Sequence, residues 1–178
     1  MAKAKEKIIM NDADIARNIK KIAHEIIEKN DGAKDLVMVG IMEGGYPIAE
    51  RIARIIEETE GDTILVGGMD VSFHRDDIGV RGKNIKVKKS EMPFSVDNKT
   101  VILVDDVMFH GRTVRAALDS LNDYGRPSKV QLAVLIDRGN RELPIQPDFC
   151  GKKIVTTKEE TVKVDLKEID GVDRVIAG

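Results

Sequence analysis

The chain has 178 residues, a formal net charge of −2 and a single cysteine. This length predicts one domain with a substantial core, and the near-neutral charge excludes a molecule that is basic as a whole. The single cysteine excludes an internal disulfide and a cysteine-rich zinc site. Because the sequence has neither a recognisable signal peptide nor an apolar run of membrane-spanning length, we expect a cytoplasmic protein.

The first predicted element is an amphipathic helix over residues 11–29. Its apolar residues recur with helical spacing and form one stripe, at Ile15, Ile19, Ile22 and Ile26. A second helical pattern covers residues 47–58. The predicted strands are residues 36–41, 63–73, 100–104, 130–136 and 161–166. Unalternated branched runs separated by helical segments indicate an α/β fold, with a parallel sheet covered by helices on both faces.

The segment 74–91 is polar, charged and punctuated by glycine. It has no clear periodicity beyond a short hairpin. Two interpretations are open at this point: a flexible loop that closes over a ligand, or an ordinary exposed hairpin.

The stretch VILVDDVMFHGRTVRAALDSL, residues 101–121, carries the strongest functional signal. Asp105 and Asp106 follow a buried apolar run, at the end of a predicted strand, where open α/β sheets bind their ligands. Gly111 permits a tight turn, and Thr113 lies at the start of the next helix, whose unpaired N–H groups suit a phosphate. The carboxylates suit hydroxyl donors or a divalent metal, so a ribose 5-phosphate fits both halves.

Two other interpretations are a purely structural role for these residues and a phospho-acceptor site. The aspartates are also common turn formers, and the Gly-Arg-Thr sequence also suits a plain helix entry. A phospho-acceptor aspartate of the response-regulator type also follows a strand, but it gives the Gly-Arg-Thr turn no purpose. A Walker loop is excluded, because the sequence lacks its glycine and lysine spacing.

VILVDDVMFHGRT resembles the phosphoribosyl-pyrophosphate (PRPP) motif of type I phosphoribosyltransferases. The longer segment VRAALDSLNDYGRPSKVQLAVLIDRGNRELPIQPDFCGKKI resembles the PyrR family of pyrimidine operon attenuators, as do IAHEIIEKN and HRDD upstream. The resemblance implies a type I phosphoribosyltransferase fold in one domain, residues 1–178. Its mainly parallel sheet would carry a flexible active-site loop at 74–91 and a small base-binding hood that includes 138–160.

The resemblance also implies a role for individual residues. Asp105 and Asp106 would hold the ribose hydroxyls and Mg²⁺, and Arg75 would act from the flexible loop. The 5-phosphate would be bound by Val107, Met108, Phe109, His110, Gly111, Arg112 and Thr113. Pyrophosphate would lie against Glu43, Gly44 and Gly45, and the base near Asp137, Arg138, Ile154 and Val155. RNA would contact Arg17, Lys20, Lys21, His24, Arg141 and Lys152.

The family's reaction converts uracil and PRPP to UMP and pyrophosphate with Mg²⁺. Its regulatory role is UMP-responsive binding to the leader of pyr mRNA, by a homodimer or homotetramer. The chain departs from the family pattern in three places: Glu43-Gly44-Gly45 replaces the usual Thr-Arg-Gly of the pyrophosphate loop, His110 replaces threonine and His74 replaces tyrosine. A catalytically weak RNA-binding sensor, or a transferase for another base, therefore remains an alternative.

Overall fold

The computed structural model describes residues 6–72 and 90–178. Eight strands and four α-helices in this part of the chain form two sheets and their covering layers. In chain order they are β1 (Lys7–Met10), α1 (Asp12–Lys29), β2 (Leu36–Ile41), α2 (Gly45–Glu60), β3 (Leu65–Met69), β4 (Thr100–Met108), α3 (Arg112–Leu121), β5 (Lys129–Asp137), β6 (Phe149–Lys153), β7 (Val162–Asp165), α4 (Lys167–Asp170) and β8 (Arg174–Ala177).

The main sheet contains five parallel strands in the order β3-β2-β4-β5-β6. Their parallel direction places all carboxyl ends at one edge. The strand predicted at 36–41 is confirmed with its bounds. The strand predicted to end at Val104 is longer, because its ladder with β5 continues to Met108. Asp105 and Asp106 therefore lie within β4, and the expectation that they follow the strand is wrong.

Helix α1 is stabilised by a capped N-terminus and by the burial of its apolar side. The Asn11 side chain accepts the N–H of Asp14, and the Asp14 carboxylate accepts the N–H of Asn11, which makes a capping box. The predicted isoleucine stripe is buried. Helices α1 and α2 pack on one face of the main sheet, and α3 packs on the other. The predicted fold class, with helices on both faces, is confirmed.

A small antiparallel sheet, β1-β8-β7, joins segments near the two ends of the described chain, and we call it the terminal sheet. Arg51 of α2 donates hydrogen bonds to Glu168 and Asp173, which lie in the connection between β7 and β8. These bonds link the terminal sheet to the main body. Predicted strand 161–166 is β7, whereas β1, β6 and β8 were not predicted. No helix in the described residues is both long and apolar enough to cross a membrane.

Candidate active site

The site is organised by the unequal lengths of β4 and β2. Pairing between these strands reaches Gly40 opposite Val104, whereas β4 continues for four more residues beside β5 alone. The start of α2 approaches the part of β4 where this pairing ends. A Cβ atom at Gly45 would lie 2.2 Å from the carbonyl oxygen of Val104, and one at Gly44 would lie 2.3 Å from Oδ2 of Asp106. The predicted pyrophosphate loop, residues 43–45, therefore lies directly against the carboxylates.

The two carboxylates are buried or half-buried and are held by backbone groups. Oδ1 of Asp105 accepts the N–H of Asp106 at 2.9 Å, and Oδ1 of Asp106 accepts the N–H of Val107 at 2.7 Å. Burial raises the pKa of Asp106, and hydrogen bonds from Val107 and with Asp105 offset only part of that rise. Asp106 therefore holds its proton more tightly than an exposed aspartate does.

The phosphate loop, residues 109–113, connects β4 to α3. Gly111 has a φ of 95° and precedes the first helical residue, so its left-handed backbone makes the turn that the sequence predicted. The cavity at this loop has a volume of about 360 Å³. It is lined by Asp105, all seven predicted phosphate-binding residues from Val107 to Thr113, Val114, Arg138 and Val162. The structure thus brings Asp105 and the predicted phosphate residues to one cavity, whereas Asp106 lines a neighbouring cavity with Glu43 and Gly44.

Arg138 closes one side of this cavity. Its guanidinium carbon lies 3.9 Å from the centroid of the Phe109 ring, and Phe109 also stacks on His110 at 3.7 Å between centroids. Arg138 donates hydrogen bonds to Thr156 Oγ1 and to the carbonyl oxygens of Thr157 and Glu160. Arg138 therefore holds the segment 156–160 next to the phosphate loop.

Asp137 and Arg141 form an ion pair beneath the same loop. Arg141 Nη2 donates to Asp137 Oδ2 at 2.8 Å, and Arg141 also donates to the carbonyl oxygens of Phe109 and Ile145. Burial alone would raise the pKa of Asp137, but Arg141 and the N–H of Gly139 lower it below its ordinary value. Asp137 is therefore charged at neutral pH, and its carboxylate is paired with Arg141.

Comparison with known proteins agrees with this geometry. The phosphoribosyl transferase domain family matches residues 7–169. A protein named bifunctional protein PyrR from Chloroflexus aurantiacus is 53% identical over 171 residues, covering 96% of this chain and 94% of the relative. A protein of the same name from Pelotomaculum thermopropionicum is 52% identical, covering 99% and 97%. The chain belongs to the PyrR family.

Solved structures support the fold of this PyrR-family chain. The hypoxanthine phosphoribosyltransferase of Trypanosoma cruzi superposes with a TM-score of 0.73 at 17% identity, over 96% of this chain and 95% of that one. A Staphylococcus aureus hypoxanthine phosphoribosyltransferase gives 0.69 at 23% identity, over 95% and 89%. The predicted phosphoribosyltransferase fold is confirmed, and so is the prediction of a phosphoribosyltransferase of the PyrR kind.

The two remaining residues predicted to bind the base, Ile154 and Val155, lie in different surroundings. The N–H of Ile154 donates to the Asp137 carbonyl at 2.9 Å, which places Ile154 beside the carboxyl end of β5. Val155 is fully exposed and borders a separate cavity with Ile8 and Ala177 of the terminal sheet. Arg75 and His74 lie outside the described residues.

The basic surface predicted for the PyrR-like RNA role is assembled from α1 and β6. Lys21 Nζ donates to the carbonyl oxygen of Gly151 at 2.8 Å, so Lys21 lies beside Lys152 of β6. Arg17 pairs with Asp14, whose pKa is lowered by the N–H of Asn11 and further by Arg17 and Lys152. Lys20 and His24 are exposed on the same helix. The guanidinium of Arg141 is instead bonded to Asp137 and to the carbonyl oxygens of Phe109 and Ile145.

Glu142, which no sequence pattern predicts, contacts two residues of the phosphate loop. Its Oε2 accepts Arg112 Nε at 2.8 Å, and its Oε1 lies 3.7 Å from His110 Nε2. The hydrogen bond from Arg112 is the largest of the effects that lower the pKa of Glu142. No local pattern signals this contact, because Arg112 and Glu142 are thirty positions apart in the chain.

Proposed function

We propose that this chain transfers the phosphoribosyl group of PRPP to uracil, producing UMP and pyrophosphate. The observation that carries the proposal is the single cavity in which Asp105 lies beside the phosphate loop and the start of α3. The anion site at a helix start suits the 5-phosphate, and carboxylate oxygens suit ribose hydroxyls. About 50% identity to PyrR proteins over nearly the whole chain supports the choice of uracil.

Mg²⁺ fits the chemistry of these donors. Mg²⁺ commonly binds one or two carboxylates together with substrate phosphates, and Asp105 and Asp106 offer two adjacent carboxylates. When bound, the ion would neutralise part of the charge on the leaving pyrophosphate. A cation near Asp106 would also favour its charged form against the burial that raises its pKa.

The protein's own residues would act by position and charge. In the transfer, the C1–pyrophosphate bond breaks as a uracil nitrogen bonds to C1 and gives up its proton to solvent, and positive charge develops on the ribose. Asp105 and Asp106 would stabilise that charge while holding the hydroxyls. Residues 107–113 would fix the 5-phosphate, and Glu43, Gly44 and Gly45 would bound the pyrophosphate. Arg75, on the loop 74–91, would complete the closed site.

The base would lie near Asp137, Arg138 and the backbone of Ile154 and Val155. Phe109 supports a pyrimidine, because an apolar ring at this position offers no carboxylate to a purine. The ion pair of Asp137 with Arg141 implies that the base is read chiefly by backbone groups at this end of β5. We retain residues 138–160 as part of the base-binding hood within one domain, residues 1–178.

We further propose that the chain regulates genes by UMP-responsive binding to the pyr mRNA leader. The surface formed by Arg17, Lys20, Lys21, His24 and Lys152 supports this role, since two separate elements contribute cations to it. Arg141 is not part of this proposal, because its guanidinium is used internally. We expect a cytoplasmic homodimer or homotetramer.

The decisive experiment measures UMP formation from uracil, PRPP and Mg²⁺. We expect turnover by the wild type and a loss of about 10²-fold or more in kcat/KM for Asp105→Asn and Asp106→Asn. Asp62→Asn is the matched control, because Asp62 is exposed and lies just before β3, at the opposite edge of the sheet. UMP binding without turnover by the wild type would contradict the transferase and leave a nucleotide-sensing regulator.

A further inference from the structure

Pyrophosphate is a polyanion, yet the loop proposed to bound it contributes a carboxylate at Glu43 and no cation at Gly44 or Gly45. Backbone N–H groups can donate to its oxygens but carry no formal positive charge, whereas an ammonium or guanidinium group adds both donors and charge. A positive side chain from elsewhere in the fold would correct this deficit.

A cavity of about 310 Å³ lies between the loop and the terminal sheet. One wall contains Glu43, Gly44, Asp106 and Val107, and the other is supplied by β7 and α4. The residues of the second wall are Val162, Lys163, Val164, Ile169 and Asp170. Among these described lining residues, Lys163 is the one basic side chain.

Lys163 is held at this wall without being enclosed. Its Nζ lies 2.5 Å from Asp165 Oδ1 and 4.0 Å from Asp170 Oδ1, and its side chain is 62% exposed. Asp165 also accepts a hydrogen bond from Arg174 Nε at 2.8 Å, so one carboxylate is shared by two cations. The adjacent carboxylate of Asp165 raises the pKa of Lys163, which keeps the ammonium charged.

We propose that Lys163 binds the pyrophosphate group of PRPP, and the pyrophosphate released, across the cavity from Gly44. The ammonium carries three donors on a flexible stem, so it can turn from Asp165 to a phosphate oxygen. Arg174 remains as the partner of Asp165 when Lys163 turns. This inference rests on the proposed transferase function, because it names a residue of the same site.

The test measures the binding of inorganic pyrophosphate with Mg²⁺ by calorimetry, and the KM for PRPP where turnover is present. We expect Lys163→Gln to weaken both by about 10- to 100-fold, the range for losing one charge-assisted hydrogen bond to a charged ligand. Binding of UMP, which contains no pyrophosphate, should stay unchanged. Lys163→Arg should retain most of the pyrophosphate affinity, because it preserves the charge.

Lys167→Gln is the matched control. Lys167 is also 62% exposed and lies near one carboxylate, 3.9 Å from Asp173, but it does not line this cavity. The inference is overturned if Lys163→Gln binds pyrophosphate as the wild type does, or if it loses UMP equally. It is also overturned if Lys167→Gln has the same effect. Failure of the wild type to form UMP would contradict the transferase alone, since the pyrophosphate titration still tests Lys163.

Discussion

Asp137 and Arg141 illustrate how much burial changes the energetics of a single ion pair. Their side chains are 13% exposed for Arg141 and 8% for Asp137. Arg115 and Asp119 have the same spacing in sequence, at 46% and 53% exposure. Exposed pairs of this kind contribute about 0.3–0.5 kcal/mol, whereas breaking a buried pair costs about 3–5 kcal/mol. The same two residue types therefore have different roles at the two positions.

We predict that Asp137→Asn lowers the free energy of unfolding by about 3 kcal/mol at neutral pH, and that Asp119→Asn changes it by less than about 0.5 kcal/mol. The pKa of Asp137 is lowered from its ordinary value of 3.8. Its stabilisation is therefore complete above that value and is lost as the pH falls below it, through the lower folded pKa. The measurement is urea unfolding between pH 3 and pH 6. A difference from wild type that grows on acidification would contradict the assignment.

At the scale of elements, the contact between α2 and β4 determines where the carboxylates lie. We predict that Gly45→Ala lowers the free energy of unfolding by about 1–3 kcal/mol and also reduces kcat/KM for UMP formation. The reason is that a Cβ atom there would lie 2.2 Å from the Val104 carbonyl, one residue before Asp105. Urea unfolding and steady-state kinetics measure the two effects.

Gly61 supplies the control for this substitution. It has a φ of 79° and no atom within 4 Å of an added Cβ. Gly61→Ala should cost about 1 kcal/mol through backbone strain alone and leave kcat/KM unchanged. Full activity in Gly45→Ala would show that the packing of α2 on β4 does not position the carboxylates.

The elements differ in how well sequence predicts them. Helix α1 and strand β2 are predictable, because an isoleucine stripe and a continuous apolar run are local signals. Strands β1, β6 and β8 have only four or five residues each, and β6 contains two exposed lysines, so pairing rather than composition makes them strands. The end of β4 was predicted at Val104 because carboxylates interrupt the apolar pattern, whereas the ladder with β5 continues past them.

The residues of the site also differ in how well sequence predicts them. The phosphate loop is predictable because its residues are consecutive and its glycine turn has a specific geometry. Glu142 and Lys163 are not predictable, since each reaches the site through packing between distant segments. Sequence alone predicts Arg141 to be a surface cation, because it does not reveal that its partner is Asp137 beneath the phosphate loop.

At the scale of the whole molecule, a net charge of −2 means that any affinity for RNA must come from a local surface. We predict that Lys20→Gln and Lys152→Gln each weaken RNA binding in the presence of UMP. Each should also reduce the slope of log affinity against log salt by about 1, as expected for one lost phosphate contact. Binding titrations at several salt concentrations with a pyr leader RNA measure both quantities.

Lys34→Gln is the control for the RNA titrations. Lys34 is exposed in the turn between α1 and β2, near the amino edge of the main sheet and away from β6. It removes the same charge from the whole molecule, so it should leave the salt slope unchanged. An equal effect of all three substitutions would indicate that RNA responds to net charge rather than to this surface.

Two backbone amides in β4 donate hydrogen bonds to the carboxylates of the site. The N–H of Asp106 donates to Asp105, and that of Val107 donates to Asp106. A proton or a ligand that engages these oxygens changes the acceptor of each amide. Hydrogen exchange at these two amides would therefore report occupancy of the site, whereas exchange between Val101 and Val104, with paired strands on both sides, would follow unfolding of the sheet.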